Sequence, residues 1–211
     1  MSGAYLLLED GTRFDGEAAG ALARSGGGPG TGEVVFNTAM SGYQEAITDP
    51  SYRGQIVVFS YPLIGNYGVS AGALESEEVQ ARAVVMREGV DRSDAAGAEG
   101  GWLSWLDEEG IPALTGVDTR ALVRHVRELG AMRGGVFTAE VPEAEAMERV
   151  RSEPPMDGRD LTTEVGPREP VLLDPDNPGP RVVALDTGIK HSIVEQLRRR
   201  GARLELHPCA T

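Results

Sequence analysis

The chain has 211 residues, enough for one large domain or for one domain and part of another. Its 20 Lys+Arg against 33 Asp+Glu leave a formal charge of −13, which argues against nucleic acid or an anionic membrane as the main partner, because phosphate binding is driven by Lys and Arg. One cysteine excludes an intrachain disulfide framework and a Cys-rich zinc site, and no apolar run approaches the ~20 residues of a bilayer span. The N-terminus has no charged-then-apolar leader pattern, so the expectation is a soluble, cytoplasmic protein.

In chain order, Ala4–Leu8 is a short apolar strand, Glu9-Asp10-Gly11-Thr12 an Asp-Gly hairpin turn, and Arg13–Ala18 an alternating second strand. Ser25–Gly32 is glycine-rich. A phosphate-binding loop would need a Gly-Lys-Ser/Thr end entering a helix, whereas Gly32 is followed by Glu33 and a strand, so this segment reads as a flexible surface loop.

The stretch from Gly32 to Gly68 carries the most information. Glu33–Phe36 and Gln55–Ser60 have the β-branched and aromatic composition of buried strands. Between them, Ser41-Gly42 can open a helical turn through Gln44–Ile47, and Asp49-Pro50-Ser51-Tyr52 is a turn signal. Asn37, Thr38, Ser41, Tyr43, Gln44, Glu45, Thr48, Asp49, Ser51 and Tyr52 crowd this one connection. Such polarity between apolar strands marks either a solvated surface or a shaped polar site.

Further on, Ala81–Met86 reads as a strand and Ser93–Gly101 as a loop. Trp102, Leu103 and Leu106 have helical spacing up to Gly110, with the tryptophans as packing anchors. Ile111–Val117 leads into the clearest helix. Asp118 is its N-cap candidate, Ala121, Leu122, Val126 and Leu129 its apolar stripe, and Gly130 its stop. The other face carries Arg120, Arg124, His125 and Arg127, which form either a solvated face or a partner- or anion-binding surface. His125 has no second ligand at metal spacing and is read as structural. Gly134–Ala139 is a strand, and Pro142–Arg151 a charged helix with Ala144, Met147 and Val150 inward.

Residues 153–180 are rich in Pro, Gly and Asp, with Leu161–Val165 and Val171–Leu173 as their apolar runs. They read as a hinge between a first domain, 1–152, and the start of a second, 181–211. In the latter, the strand Val182–Leu185, the helix Lys190–Arg200 (Ile193, Val194 and Leu197 inward) and the strand Leu204–Leu206 make a βαβ unit, which implies a parallel sheet. One such unit cannot cover its own apolar faces.

Four segments carry a resemblance: LLLEDGTRFDG at Leu6–Gly16, the stretch 32–68, GVDTRALVRHVRELGAMRG at Gly116–Gly134, and VVALDTGIKHSIVEQLRRRGARLELHP at Val182–Pro208. Together they resemble the small, glutamine-handling subunit of carbamoyl phosphate synthetase. The resemblance implies a mixed α/β chain: a swivelling β/β/α-type first domain, then the opening βαβ unit of a flavodoxin-like class I glutamine amidotransferase domain. It further implies a subunit that hydrolyses glutamine and passes ammonia to a large partner subunit in a heterodimer. That partner would use bicarbonate, ATP and Mg to make carbamoyl phosphate for arginine and pyrimidine synthesis. No cofactor is implied for this chain.

The family's chemistry is acyl transfer by a cysteine activated by histidine and an orienting glutamate. Cys209, the single cysteine, follows a strand without nucleophile-elbow glycines or a following helix, and the family's triad lies beyond residue 211. The resemblance carries a glutamine-binding role onto Ser51, whose hydroxyl can serve a carboxylate or an ammonium; by itself it is an ordinary turn serine. Lys190 matches a family lysine near the ammonia exit, although Thr187 departs from the aromatic often found beside it. A rival reading is a non-catalytic module that docks on the large subunit and helps shape the glutamine site.

Overall fold

The computed structural model describes residues 3–24 and 28–209. Its strands are β1 (Gly3–Leu8), β2 (Arg13–Gly20), β3 (Gly30–Asn37), β4 (Gln55–Phe59), β5 (Leu63–Ile64), β6 (Ala83–Val85), β7 (Glu88–Gly89), β8 (Pro112–Thr115), β9 (Met132–Thr138), β10 (Val171–Leu173), β11 (Arg181–Asp186) and β12 (Arg203–Pro208). The helices are α1 (Tyr43–Thr48), α2 (Trp102–Glu108), α3 (Thr119–Leu129), α4 (Glu143–Ser152), α5 (Thr162–Val165) and α6 (His191–Arg199).

Seven strands close into a barrel in the order β1-β2-β8-β6-β4-β3-β9. The β3, β4, β6 and β8 neighbours run parallel, and the remaining pairs are antiparallel. The fold is therefore mixed α/β. Successive residues on a strand point to opposite faces, and in β1, β4 and β6 both faces are buried, which is why these strands read as apolar runs. Leu6, Leu8, Ile56, Val58 and Val85 join Leu122 and Val126 of α3 in one cluster. Their alternates go elsewhere: Val57, Phe59 and Val84 pack with Tyr43, Ile47, Trp102 and Leu106, and Tyr5 and Leu7 with Phe137, Ala146 and Val150 under α4.

Trp102 is wholly buried and meets Tyr43 and Phe59 edge-on, the packing role expected of it. Asp118 caps α3 by accepting from the Ala121 amide at 3.0 Å. His125 is tied to Asp10 of the β1–β2 turn at 2.7 Å, a structural contact.

Several expectations are corrected. Gly30, Thr31 and Gly32 are not loop: they are strand, paired with Val136, Gly135 and Gly134. A Cβ on Gly32 would lie 2.4 Å from the Gly54 carbonyl oxygen, so close strand packing explains the glycine. Residues 25–27 of the same glycine-rich segment lie outside the described residues. The run 111–117 supplies β8, the strand that lets the barrel close. The 81–86 strand shortens to β6, although Ala81 and Met86 stay buried.

The α3 stripe ends at Val126, because Leu129 in the last turn is 63 % exposed. In α4 the inward alanine is Ala146, one turn before Val150, and Ala144 faces solvent. Ile193 of α6 is also exposed.

The C-terminal elements form a second, three-stranded sheet. β11 and β12 are parallel and joined by α6, the βαβ unit expected, and β10 adds antiparallel to β12. Val183 and Leu185 are 55 % and 70 % exposed, the uncovered apolar face that a single such unit leaves. No helix among the described residues is long and apolar enough to cross a membrane.

Candidate functional site

The polar connection after β3 becomes α1 and then a 3-10 turn, Pro50–Tyr52. Asp49 caps this turn. Its Oδ1 accepts from the Ser51 amide at 3.0 Å, and proline at the first helical position fixes the backbone for it. Ser51 is solvent-exposed at the apex, while Asp49 and Pro50 beneath it are buried.

The other half of the site is the turn between β11 and α6. Asp186, buried at the end of β11, accepts from the amides of Gly188 and Ile189, both at 2.8 Å. This folds the chain back sharply, with Gly188 at φ +102°. Any Cβ on Gly188 would lie 2.8 Å from Pro50 Cβ and 2.9 Å from Val165 Cγ2. Only glycine meets both demands here. The close approach delivers Lys190, whose ammonium lies 2.7 Å from Asp49 Oδ2. Glu75 completes the seam: its carbonyl accepts from the His191 amide at 2.8 Å and its carboxylate from the Ser192 amide at 2.9 Å, at the start of α6.

The electrostatics follow from this geometry. Burial pushes against the Asp49 charge, but hydrogen bonds from Lys190 and Ser51 outweigh it and hold the carboxyl below its ordinary range. The hydrogen bond to Asp49 raises the Lys190 ammonium above its usual pKa, against partial burial. The pair is thus ionised at neutral pH, with a fixed negative centre under an exposed hydroxyl and a half-exposed cation.

Ser51 and Lys190, the two residues singled out from sequence, are therefore brought together, each held by Asp49. Asp49 itself went unassigned, though an Asp before Pro-Ser is a capping signal that could have marked it. Asp186 has a local signal, since Asp-Thr-Gly is an Asx-turn pattern and the amides it accepts from lie two and three residues on. Glu75 has none, because the amides it serves belong to the start of α6, far along the chain. Beside the seam lies a cleft of about 1210 Å³ lined by Pro50, Glu75, Glu164, Asp186, Ile189 and His191, among others. Ser51 and Lys190 border its walls through their chain neighbours and do not line it, so the geometry of the seam is the better guide to function.

Cys209 is not arranged as an activated nucleophile. Its thiol donates to Thr162 Oγ1 at 3.2 Å, and the His207 ring faces Glu205 at 3.6 Å. No group of three or more His, Cys, Asp or Glu among the described residues is placed to hold a metal ion.

Residues 6–136 match the family described as carbamoyl-phosphate synthase small chain, CPSase domain. Three relatives are each named carbamoyl phosphate synthase small chain. The chain is 40% identical to that of Nitratidesulfovibrio vulgaris Hildenborough, across 94% of this chain and 56% of the relative. Identity to the Thermotoga maritima protein is 42%, across 95% and 50%. For Symbiobacterium thermophilum it is 43%, across 95% and 54%. The chain thus spans about half the length of the curated relatives it matches. With most of the barrel inside the matched region, this chain belongs to the carbamoyl phosphate synthase small chain family.

Proposed function

We propose that the chain is part of the glutamine amidotransferase subunit of a carbamoyl phosphate synthase. Glutamine hydrolysis in the intact subunit supplies ammonia to a large partner, which consumes bicarbonate and ATP with Mg. The family match over residues 6–136 carries this reading, and the identities of about 40% along nearly the whole chain support it. Residues 1–152 form the first domain, 153–180 the connection, and 181–211 the opening unit of the amidotransferase domain. The complex works in the cytoplasm as a heterodimer or a higher assembly.

In this reading Ser51 contacts glutamine from the first domain and Lys190 stands on the ammonia route. An exposed hydroxyl above an Asp49–Lys190 pair is a place where an amino acid's carboxylate finds a donor and a cation, or its ammonium an acceptor. The 211 residues by themselves do not hydrolyse glutamine. The bonding of Cys209 to Thr162, and of His207 toward Glu205, supports that, since a cysteine nucleophile needs its base within hydrogen-bond reach. For this length of chain the functional contribution is docking on the large subunit and shaping one wall of the glutamine pocket.

The test compares two proteins in the presence of the large subunit. A chain extended to the full length of its relatives should give glutamine-dependent carbamoyl phosphate. The 211-residue chain should give none, with or without Cys209→Ser. Glutamine hydrolysis by the shorter chain that Cys209→Ser abolishes would overturn the reading.

A further inference from the structure

A second cavity, about 750 Å³, lies away from the Asp49–Lys190 seam and is lined by Ser60, Pro62, Arg87, Thr119, Arg120, Val123, Arg124 and Arg127. Four of its eight lining residues are arginines, in a chain whose formal charge is −13. Arg120, Arg124 and Arg127 follow one another at i, i+4 and i+7 along α3, so they form one stripe on the helix. Arg87 comes from the loop after β6, on the other side of the groove, and Val123 and Pro62 provide apolar surface between the charges.

Arg13, Arg53, Arg133, Arg159, Arg181 and Arg198 each meet a carboxylate within 4 Å. Among the described residues, Arg87, Arg120 and Arg124 meet none. Arg82, Arg151, Arg168, Arg200 and Arg203 also meet no carboxylate among the described residues, and what sets the groove arginines apart is that they converge on one cavity. Arg127 reaches only the adjacent Glu128, at 3.9 Å and with both side chains well exposed. An acidic protein has abundant carboxylates with which to neutralise its arginines, and this groove is left uncompensated.

We infer that the Arg87–Arg120–Arg124–Arg127 groove docks an acidic segment of the large synthetase chain, an inference that rests on the docking role proposed above. Arginine forks pair with carboxylates in a bidentate manner, and arginine is favoured at protein interfaces. The stripe advances about 10 Å along α3, at 1.5 Å per residue, which suits carboxylates spaced along a partner helix or strand better than one compact anion. The apolar surface at Val123 and Pro62 suits the carbon skeleton of such a segment. A long polyanion such as nucleic acid would extend past the groove onto a surface of opposite preference and be repelled.

The experiment measures binding of this chain to its large synthetase chain, by calorimetry at low and at physiological salt. Three proteins are compared: wild type, R120Q/R124Q and R120E/R124E. Both positions are exposed, and circular dichroism verifies that the variants fold. Neutralisation should weaken binding about tenfold and charge reversal about a hundredfold at low salt, with a shallower salt dependence in both variants. A complex that forms equally well with R120E/R124E overturns the inference and leaves the docking role standing. Absence of a complex with the wild type overturns both. Pyrophosphate or a short single-stranded oligonucleotide that binds wild type more tightly than the large chain does, and loses that binding in R120E/R124E, would assign the groove to a different class of ligand.

Discussion

The Lys190 ammonium lies 2.7 Å from Asp49 Oδ2, joining the turn that opens α6 to the turn that follows α1; Asp49 is 9% exposed and Lys190 40%. The contact connects the C-terminal sheet to the barrel at the position where Ser51 is presented. Its energetics are asymmetric, because the carboxylate is nearly buried and the ammonium is largely hydrated.

Lys190→Met should cost about 1 kcal/mol, less than a fully buried pair would, since solvent screens the exposed cation. Asp49→Asn retains a good cap and loses the charge, at a similar cost, whereas Asp49→Ala loses both, at about 2 kcal/mol. Urea midpoints for the three variants check this order.

The same pair predicts a pH profile. The pKa of Asp49 is depressed in the folded state from 3.8, so its stabilising contribution is complete above the unfolded value and lost as pH falls through the folded one. Lys190 is raised from 10.5, so its contribution is complete below that value and lost as pH rises through the folded one. The stability difference between wild type and Lys190→Met should therefore be flat from about pH 5 to 9 and shrink on either side. A difference that changes within that plateau would show that another group carries it.

Gly188→Ala should destabilise the seam. The new methyl meets Pro50 and Val165 below 3 Å, and the positive φ adds backbone strain. The combined cost is about 2–3 kcal/mol. Hydrogen exchange should show the loss first at Asp186–Ile189 and the start of α6, while the barrel strands stay protected.

Arg133 holds the end of β1 to the end of α4. Its guanidinium meets Glu9 Oε2 at 2.6 and 2.8 Å, its amide donates to Glu9 Oε1 at 2.9 Å, and its Nη1 donates to the Arg151 and Glu153 carbonyls at 3.1 Å. Burial opposes ionisation of Glu9, yet the Arg133 hydrogen bonds prevail and lower its pKa. Arg133→Ala should cost about 2–3 kcal/mol. Arg133→Lys should recover less than half of that, because an ammonium cannot reach the carboxylate and both carbonyls at once. Thermal melts of the two variants decide it.

Ser51→Ala tests the proposed glutamine contact. The residue is exposed at the turn apex, so stability should change by less than about 0.5 kcal/mol. In the full-length subunit with its partner, the KM for glutamine should rise about tenfold with kcat nearly unchanged, the loss of one hydrogen bond to a charged ligand group. An unaltered KM would leave Ser51 as a turn residue only.

The apolar strands, the capped helix at Asp118 and the parallel β11–α6–β12 unit were legible in the sequence because each is set by local periodicity and local hydrogen bonding. What failed locally did so for tertiary reasons. Gly30 and Gly32 look like loop residues until Arg82 and Ala83 are packed against the first and Gly54 against the second. Leu129 fits the helical spacing, but the core ends before it. Pro112–Thr115 gives little strand signal, and its role is defined by β2 and β6 on either side.

The site divides in the same way. Periodicity marked out the strands and helices, and the resemblance to the small-subunit family implied the mixed α/β class and singled out Ser51. Only the folded chain placed Lys190 on Asp49, set Gly188 against Pro50, and gathered four arginines around one groove, three of them without a carboxylate among the described residues. The physical reason is that hydrophobic periodicity and capping act within a few residues along the chain. Ion pairing, close backbone approach and unbalanced charge depend on distance in space, which sequence separation does not encode.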